Sequence, residues 1–179
     1  ILIVTSAYSQ FGPQQIISTQ ADGSQSVFVV DLDVDNHLDV LSANKFNNTI
    51  TWFKNMEGMG SFGPQNIVAT LSEPLDVRAA DLDGDNDMDV LAVAPFVDLV
   101  VWYENLDGEG TFSSQKVISS TTDAPFAAIA ADIDGDQDLD VISASDSSGL
   151  AWYENLDGNG DFGPVQNIAV LPNNRSVFA

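Results

Sequence analysis

The chain has 179 residues, of which 44% are hydrophobic and 18% charged, and its mean hydropathy is +0.03. This composition predicts a packed core and excludes a disordered tail. Five Lys and Arg against 27 Asp and Glu give a net charge of −22, so neither nucleic acid nor an anionic membrane surface is an expected partner. The chain has no cysteine, which excludes disulfides and thiolate metal sites. Apolar runs are far shorter than the roughly 20 residues of a membrane span, so no membrane insertion is expected.

The first residues, Ile1–Val4, are typical of a strand. They lack the initiator Met and the basic flank of a signal peptide, and the chain is therefore expected to be a processed or excised piece. We assign residues 1–10 to the end of a preceding blade.

A repeat of about 50 residues follows, which is a period typical of repeat architectures. Aromatic pairs recur at Trp52, Trp102 and Trp152, each followed by Phe or Tyr. Phe residues mark the joints, and most of them are followed by Gly-Pro; they are Phe11, Phe62, Phe112 and Phe162. The predicted units are 11–61, 62–111, 112–161 and a partial fourth unit, 162–179.

Each unit consists of short β-branched or aromatic stretches separated by Gly, Asn, Asp and Pro, which predicts strands and almost no helix. In the second unit the expected strands lie near 65–70, 76–81, 89–93 and 99–104. Four short antiparallel strands per repeat predict an all-β fold made of β-propeller blades. A two-sheet sandwich would explain the strands but gives no reason for a strict repeat.

The number of repeats, about 3.6, is below the four to eight blades of a typical closed propeller. The chain is therefore expected either to be a segment of a larger propeller, of about seven blades, or to complete a ring with a second copy. An isolated stack of blades would leave strand edges unpaired, which proteins generally cover.

Each unit also contains one acidic loop of nine residues with carboxylates at positions 1, 3, 5 and 9. Such crowding is costly unless a cation neutralises it, and oxygen ligands in a flexible loop favour calcium. Side chains at positions 1, 3 and 5 are expected to converge, position 7 to offer its backbone carbonyl, and position 9 to close the site. The predicted ligands are Asp31, Asp33, Asp35, His37 and Asp39 in the first loop, Asp81, Asp83, Asp85, Asp87 and Asp89 in the second, and Asp132, Asp134, Asp136, Asp138 and Asp140 in the third, with His37, Asp87 and Asp138 acting through the carbonyl.

Position 6 of each loop is expected to have a positive φ, which Asn36 and Asn86 tolerate better than Gln137. An EF-hand is not expected, because position 12 lacks a carboxylate and each loop leads directly into a strand. The alternative is a set of solvated acidic turns that hold no ion.

These Asp-x-Asp-x-Asp loops, the Phe-Gly-Pro joints and the Trp-Tyr-Glu-Asn-Leu-Asp-Gly stretches at 102–108 and 152–158 resemble FG-GAP repeats, also called VCBS repeats, known from integrin alpha-subunit propellers and many secreted bacterial proteins. The resemblance implies a calcium-bearing β-propeller of extracellular type, used for adhesion or carbohydrate binding. Two features depart from the family pattern: the usual Gly at loop position 6 is replaced in all three loops, and Ser113-Ser114 replaces Gly-Pro.

An enzyme is not expected. His37 is the sole histidine, no phosphate-binding loop is present, and the paired carboxylates are assigned to metal. The repeated Trp residues either pack between blades or stack on sugars, and Asn55, Asn105 and Asn155 are interpreted as turn residues.

The leading hypothesis is therefore a secreted or cell-surface module, stabilised by calcium, that binds a glycan or an extracellular protein. One alternative is a structural protein whose blades pair between copies into a closed dimer or a filament. Another is a domain that targets an appended enzyme to polysaccharide.

Overall fold

The structure, a computed structural model, describes residues 14–170 and 176–177. Within them the chain forms twelve short strands and one 3-10 turn, Pro95–Val97. The strands are β1 (Ser24–Val30), β2 (Asp39–Asn44), β3 (Thr49–Phe53), β4 (Asn66–Thr70), β5 (Asp76–Ala80), β6 (Asp89–Ala94), β7 (Leu99–Tyr103), β8 (Lys116–Ser119), β9 (Pro125–Ala131), β10 (Asp140–Ser145), β11 (Gly149–Tyr153) and β12 (Gln166–Ala169). No helix in this described part of the chain is long and apolar enough to cross a bilayer.

The strands form three antiparallel sheets, each with four strands in sequence order: β1–β4, β5–β8 and β9–β12. This confirms the prediction of an all-β chain built from four-stranded blades. The four strands predicted for the second unit are all present, and each end lies within one residue of its predicted position.

The boundaries of the sheets are shifted by one strand from the boundaries of the sequence units, because each sheet ends with the first strand of the following unit. β4 follows the joint at Phe62 but pairs with β3, so it completes the first sheet. Likewise β12, which lies in the partial unit 162–179, completes the third sheet beside β11. The segment 1–10, assigned to a preceding blade, and residues 171–175 and 178–179 lie outside the described residues.

The core lies between neighbouring sheets. Alternate side chains of a strand point to opposite faces, and in β6 Val90 and Ala92 pack toward the first sheet while Leu91 and Val93 pack toward the third. Every residue of β6 is buried. Burial on both faces explains why the central strands are continuously apolar instead of alternating.

The first strands of the three sheets lie side by side, since β5 packs against both β1 and β9. This is the arrangement of β-propeller blades, whose first strands are innermost. Asp76 of β5 joins all three blades there. Its Oδ1 accepts hydrogen bonds from Ser26 Oγ and Arg78 Nη1, both at 2.7 Å, and its Oδ2 accepts one from Ala128 N at 3.4 Å.

The repeated Asn residues do more than form turns. Asn105 Nδ2 donates to Leu32 O of the preceding blade at 3.0 Å, and Asn155 Nδ2 donates in the same way to Leu82 O at 2.9 Å. The Oδ1 atom of Asn105 accepts from Gly110 N at 3.1 Å. Each of these two Asn residues therefore ties its own turn to the neighbouring blade.

The aromatic pairs of the first and second units are buried, and in the third unit Tyr153 is buried while Trp152 is half-buried. Trp102 and Tyr103 are neighbours on a strand and point to opposite faces, and both are buried, each in a different core cluster. A Cβ on Gly160 of the next blade would lie only 2.3 Å from the Trp102 ring, so the turn fits over the indole because it has no side chain there. Of the two alternatives for the repeated Trp residues, packing between blades therefore holds at Trp102, whose ring is covered.

Candidate metal centre

The three acidic loops connect β1 to β2, β5 to β6 and β9 to β10, so each occupies the same place in its blade. The position-6 residues have the positive φ that was predicted, 66° at Asn36, 75° at Asn86 and 83° at Gln137. A left-handed conformation is costly for Gln, so the third loop holds the least favourable residue at this point.

In the second loop the position 1, 3 and 5 carboxylates converge. Asp81, Asp83 and Asp85 each offer an oxygen, and these oxygens lie within 4.8 Å of one another. Asp81 is held by backbone donors, with Gly84 N at 2.8 Å from Oδ1 and Asn86 N at 3.0 Å from Oδ2. The Oδ1 atom of Asp83 is buried without a hydrogen-bond partner. A buried carboxylate oxygen of this kind is costly unless a cation meets it.

The third loop repeats this geometry in a more exposed setting. Oxygens of Asp132, Asp134 and Asp136 lie within 4.8 Å of one another, and all three residues are exposed. Asp132 accepts from Gly135 N at 2.7 Å and from Gln137 N at 3.2 Å. The loop is therefore preformed by its own backbone in the same way as the second.

The first loop is arranged differently. Here the carboxylates within 4.8 Å belong to positions 1, 3 and 9, Asp31, Asp33 and Asp39. Asp35 at position 5 instead accepts from His37 N at 2.9 Å and contacts Lys54 Nζ at 3.0 Å. The Lys54 ammonium also donates to Asp33 Oδ2.

The position-9 carboxylates are buried and anchor the loops to the blades. Asp89 accepts from Leu82 N and from Asn105 N, both at 2.9 Å. Asp39 and Asp140 accept from the equivalent donors. In the second and third loops these carboxylates lie outside the converging triads, so their predicted role as ligands stays a prediction. Each oxygen that accepts one hydrogen bond still has a further lone pair.

The position-7 side chains pack against the Gly of the turn that follows the aromatic pair. A Cβ on Gly58 would lie 2.4 Å from His37 Cδ2, and one on Gly108 would lie 2.6 Å from Asp87 Oδ1. A Cβ on Gly158 would likewise lie 2.6 Å from Asp138 Oδ1. The carbonyl ligation predicted for position 7 remains a prediction.

Burial raises the pKa of the position-9 carboxyl groups of the first and second loops, Asp39 and Asp89, and the two loops differ at positions 3 and 5. In the second loop burial raises the pKa of Asp83, and the charges of Asp85, Glu104 and Asp81 raise it further. Burial also raises the pKa of Asp89 to about 7. In the first loop, by contrast, the hydrogen bond from Lys54 lowers the pKa of Asp35. The first loop thus has a positive charge next to its carboxylates, the Lys54 ammonium, and the second loop has no such charge.

Lys54 was not among the predicted site residues, although the sequence contains the signal for it. The aromatic pair is followed by Glu104 and Glu154 in the second and third units but by Lys54 in the first. Spacing within the nine-residue loops cannot reveal this residue, because it lies directly after β3, outside the loop.

Comparison with known proteins agrees with the geometry. The family model described as an FG-GAP-like repeat matches residues 31–92 and 94–143. No curated protein sequence matches the chain. Among solved structures, a lectin from Agrocybe aegerita, described as recognising non-reducing terminal N-acetylglucosamine, is similar with a TM-score of 0.60 at 21% identity, and the match covers 82% of this chain and 39% of that one. This likeness concerns the fold. The match of the family model over most of the chain shows that the protein belongs to the FG-GAP-like repeat family.

Proposed function

We propose that this chain is a non-catalytic binding module that holds calcium in its acidic loops and contacts a glycan or protein partner outside the cell. The observation that carries the proposal is the convergence of three carboxylates in the second and third loops. Membership of the FG-GAP-like repeat family supports it.

The donor set suits calcium. Asp81, Asp83 and Asp85 would hold one ion and Asp132, Asp134 and Asp136 another, with the carbonyls of position 7 and the carboxylates of position 9 as further oxygen ligands. A hard divalent ion with flexible oxygen coordination matches such a site. The ion would neutralise the clustered charge and supply the partner that the buried Asp83 Oδ1 lacks.

Calorimetric titration of chelator-treated protein with calcium tests this proposal. Extracellular calcium modules bind at about 10⁻⁴ to 10⁻³ M, and a dissociation constant in this range would support both the metal and the extracellular setting. No heat of binding and no change in melting temperature would contradict the metal. A constant near 10⁻⁷ M would contradict the compartment, since cytosolic calcium would then also fill the sites.

A glycan surface is proposed at the opposite end of the strands from the acidic loops. Phe46 and Phe96 occupy equivalent hairpin turns in the first two blades and are 69% and 61% exposed. Lys45 Nζ lies 4.3 Å from the centroid of the Phe96 ring and 3.3 Å from Glu73 Oε2. A cleft of about 370 Å³ lies between Lys45, Phe46, Asn48 and Glu73. The exposed ring of Phe46 beside charged and amide groups offers a sugar both an apolar surface and hydrogen-bond partners.

The test is a glycan array that includes terminal N-acetylglucosamine, with and without calcium. Phe46→Ala is expected to weaken binding about tenfold, which corresponds to roughly 1.4 kcal/mol. Met59→Ala is the control, since Met59 is 78% exposed but lies in the turn after the aromatic pair, away from Phe46 in the sequence. If both variants bind like the unmodified chain, the glycan surface lies elsewhere; if no glycan binds, the partner is a protein.

Self-association is the second candidate function, and one surface favours it. Val27 on β1 is 62% exposed, whereas its counterpart Val77 on β5 is fully buried by the preceding blade. Val29 is exposed beside it. A further blade, from a second copy or from a longer parent chain, would bury this face. Sedimentation velocity distinguishes the two: a concentration-dependent dimer supports the second copy, and a monomer contradicts it.

A further inference from the structure

The residue after the aromatic pair has the same place in every blade. The carbonyl oxygens of Lys54, Glu104 and Glu154 each accept a hydrogen bond from the residue after the Phe joint, from Gly63 N at 2.8 Å, Ser113 N at 2.8 Å and Gly163 N at 2.7 Å. The three side chains therefore leave equivalent points of the backbone. The first blade therefore has a lysine at a backbone position where the other two blades have a glutamate.

In the first blade this side chain reaches the acidic loop. Lys54 Nζ donates to Asp33 Oδ2 and lies 3.0 Å from Asp35 Oδ2. The Asp33 side chain is only 4% exposed, so its charge is largely shielded from water. Hydrogen bonds between an ammonium and a carboxylate are among the strongest in proteins. The carboxylates at positions 3 and 5 therefore already share one cation.

This contact also changes the arrangement of the possible ligands. Asp35 is drawn to the ammonium and is absent from the converging triad, where Asp39 takes its place. A divalent ion among Asp31, Asp33 and Asp39 would lie close to a fixed positive charge, which repels it. Asp33 Oδ1 has no hydrogen-bond partner, but the ammonium on Oδ2 has already neutralised much of this carboxylate.

The other two loops have no such cation. Among the described residues, no Lys, Arg or His forms an ion pair with an aspartate of the second or third loop. Glu104 contributes a further negative charge that acts on Asp83. Its own partner, Lys116, lies 2.5 Å from Glu104 Oε2 and over the Trp102 ring.

We infer that the first acidic loop does not bind calcium, because the Lys54 ammonium is its built-in counter-ion, while the second and third loops each bind one ion. The inference rests on the proposed calcium function of those two loops. A lysine tethered next to the carboxylates needs no ion from solution, so the first blade keeps its loop closed when calcium is scarce.

The test is the number of calcium ions bound per chain, measured by native mass spectrometry and by calorimetry. Two ions are expected for the unmodified chain and three for Lys54→Glu, which gives the first blade the residue of the other two. Lys116→Gln is the matched control: it removes another paired lysine, matches Gln166 of the third blade, and is expected to leave the count at two. Asp81→Asn is expected to lower the count to one, and Asp31→Asn to leave it at two.

The outcomes separate this inference from the proposed calcium function. Three ions in the unmodified chain, or two in a folded Lys54→Glu chain, would overturn the inference alone. No ion in any variant would overturn both. If Lys54→Glu does not fold, Lys54→Met removes the charge without adding a carboxylate, and a third, weaker site in that variant supports the inference while a count of two contradicts it.

Discussion

The first and second acidic loops have the same spacing of aspartates but balance their charge in different ways. In the first loop the Lys54 ammonium lies against Asp33 and Asp35. In the second loop the equivalent residue is Glu104, whose carboxylate pairs with Lys116 and brings no positive charge to the aspartates. A residue outside the nine-residue motif, directly after the third strand of the blade, therefore decides whether the carboxylates of such a loop have a cation of their own.

Calcium removal is expected to have the largest effect. Two sites filled at a hundredfold excess over Kd contribute about 5 kcal/mol, which for a chain of this size corresponds to a fall in melting temperature of about 10 to 20 °C. Calorimetry with excess chelator measures it, and magnesium in place of calcium is the control. Hydrogen exchange should show lost protection in the second and third loops only. If all three loops lost protection equally, the first loop would also depend on calcium, and the difference between the loops would be contradicted.

Substitution at the distinguishing position is expected to have the next largest effect. In calcium-free buffer Lys54→Met leaves the buried Asp33 without its cation, and the free energy of unfolding should fall by about 1 to 3 kcal/mol. Glu104→Gln removes a negative charge from a crowded site but also the exposed ion pair with Lys116, and these opposing effects should change stability by less than about 1 kcal/mol. Urea unfolding measures both, and similar losses in the two variants would show that the loops do not differ.

The hydrogen bonds that the turn asparagines make between blades predict a smaller difference in the free energy of unfolding. Asn105→Ala removes the hydrogen bond to Leu32 O of the preceding blade, whereas the Nδ2 of Asn55 donates to Leu38 O within its own blade. The Asn105 variant is therefore expected to lose about 1 kcal/mol more than Asn55→Ala. Urea unfolding again provides the measurement. Equal losses would mean that the bond between blades adds nothing beyond the turn.

The pH dependence of stability is expected to have opposite signs at two residues, Asp89 of the second loop and Asp35 of the first. The pKa of Asp89 is raised to about 7, so the folded state binds this proton more tightly than the unfolded state does. In calcium-free buffer Asp89 therefore makes stability fall as the pH rises from about 4 to about 7. The pKa of Asp35 is lowered by Lys54, so Asp35 adds stability above about 4 that is lost as the pH falls through its folded pKa.

Carboxyl NMR titration of the calcium-free protein distinguishes these residues directly. Asp89 is expected to titrate near neutral pH and Asp35 below the usual range of aspartate. Calcium should move Asp89 toward lower pH, because the ion favours the charged carboxylates of its loop. If Asp89 titrates normally without calcium, its burial carries no electrostatic cost.

Local sequence patterns were sufficient to predict the strands and the loops. Strand ends in the second unit follow from Gly, Pro and Asp punctuation, and the positive φ at Asn36, Asn86 and Gln137 follows from the turn that position 6 must make. These features depend on residues that are close in the chain, which is why periodicity and turn chemistry predict them. The phase of the sheets does not follow in this way, because the pairing of β4 with β3 joins strands across the Phe joint.

The sequence by itself determined the repeat, the all-β class, the family and the positions of the acidic loops, since each of these is written in short-range patterns that recur with a fixed period. Only the tertiary structure decided that Trp102 is covered by the next blade, that Asp76 joins three blades, and that Lys54 reaches Asp33. The physical reason is that burial and ion pairing depend on distances between strands and blades. Residues at equivalent positions of a repeat can therefore have the same backbone and opposite electrostatic surroundings.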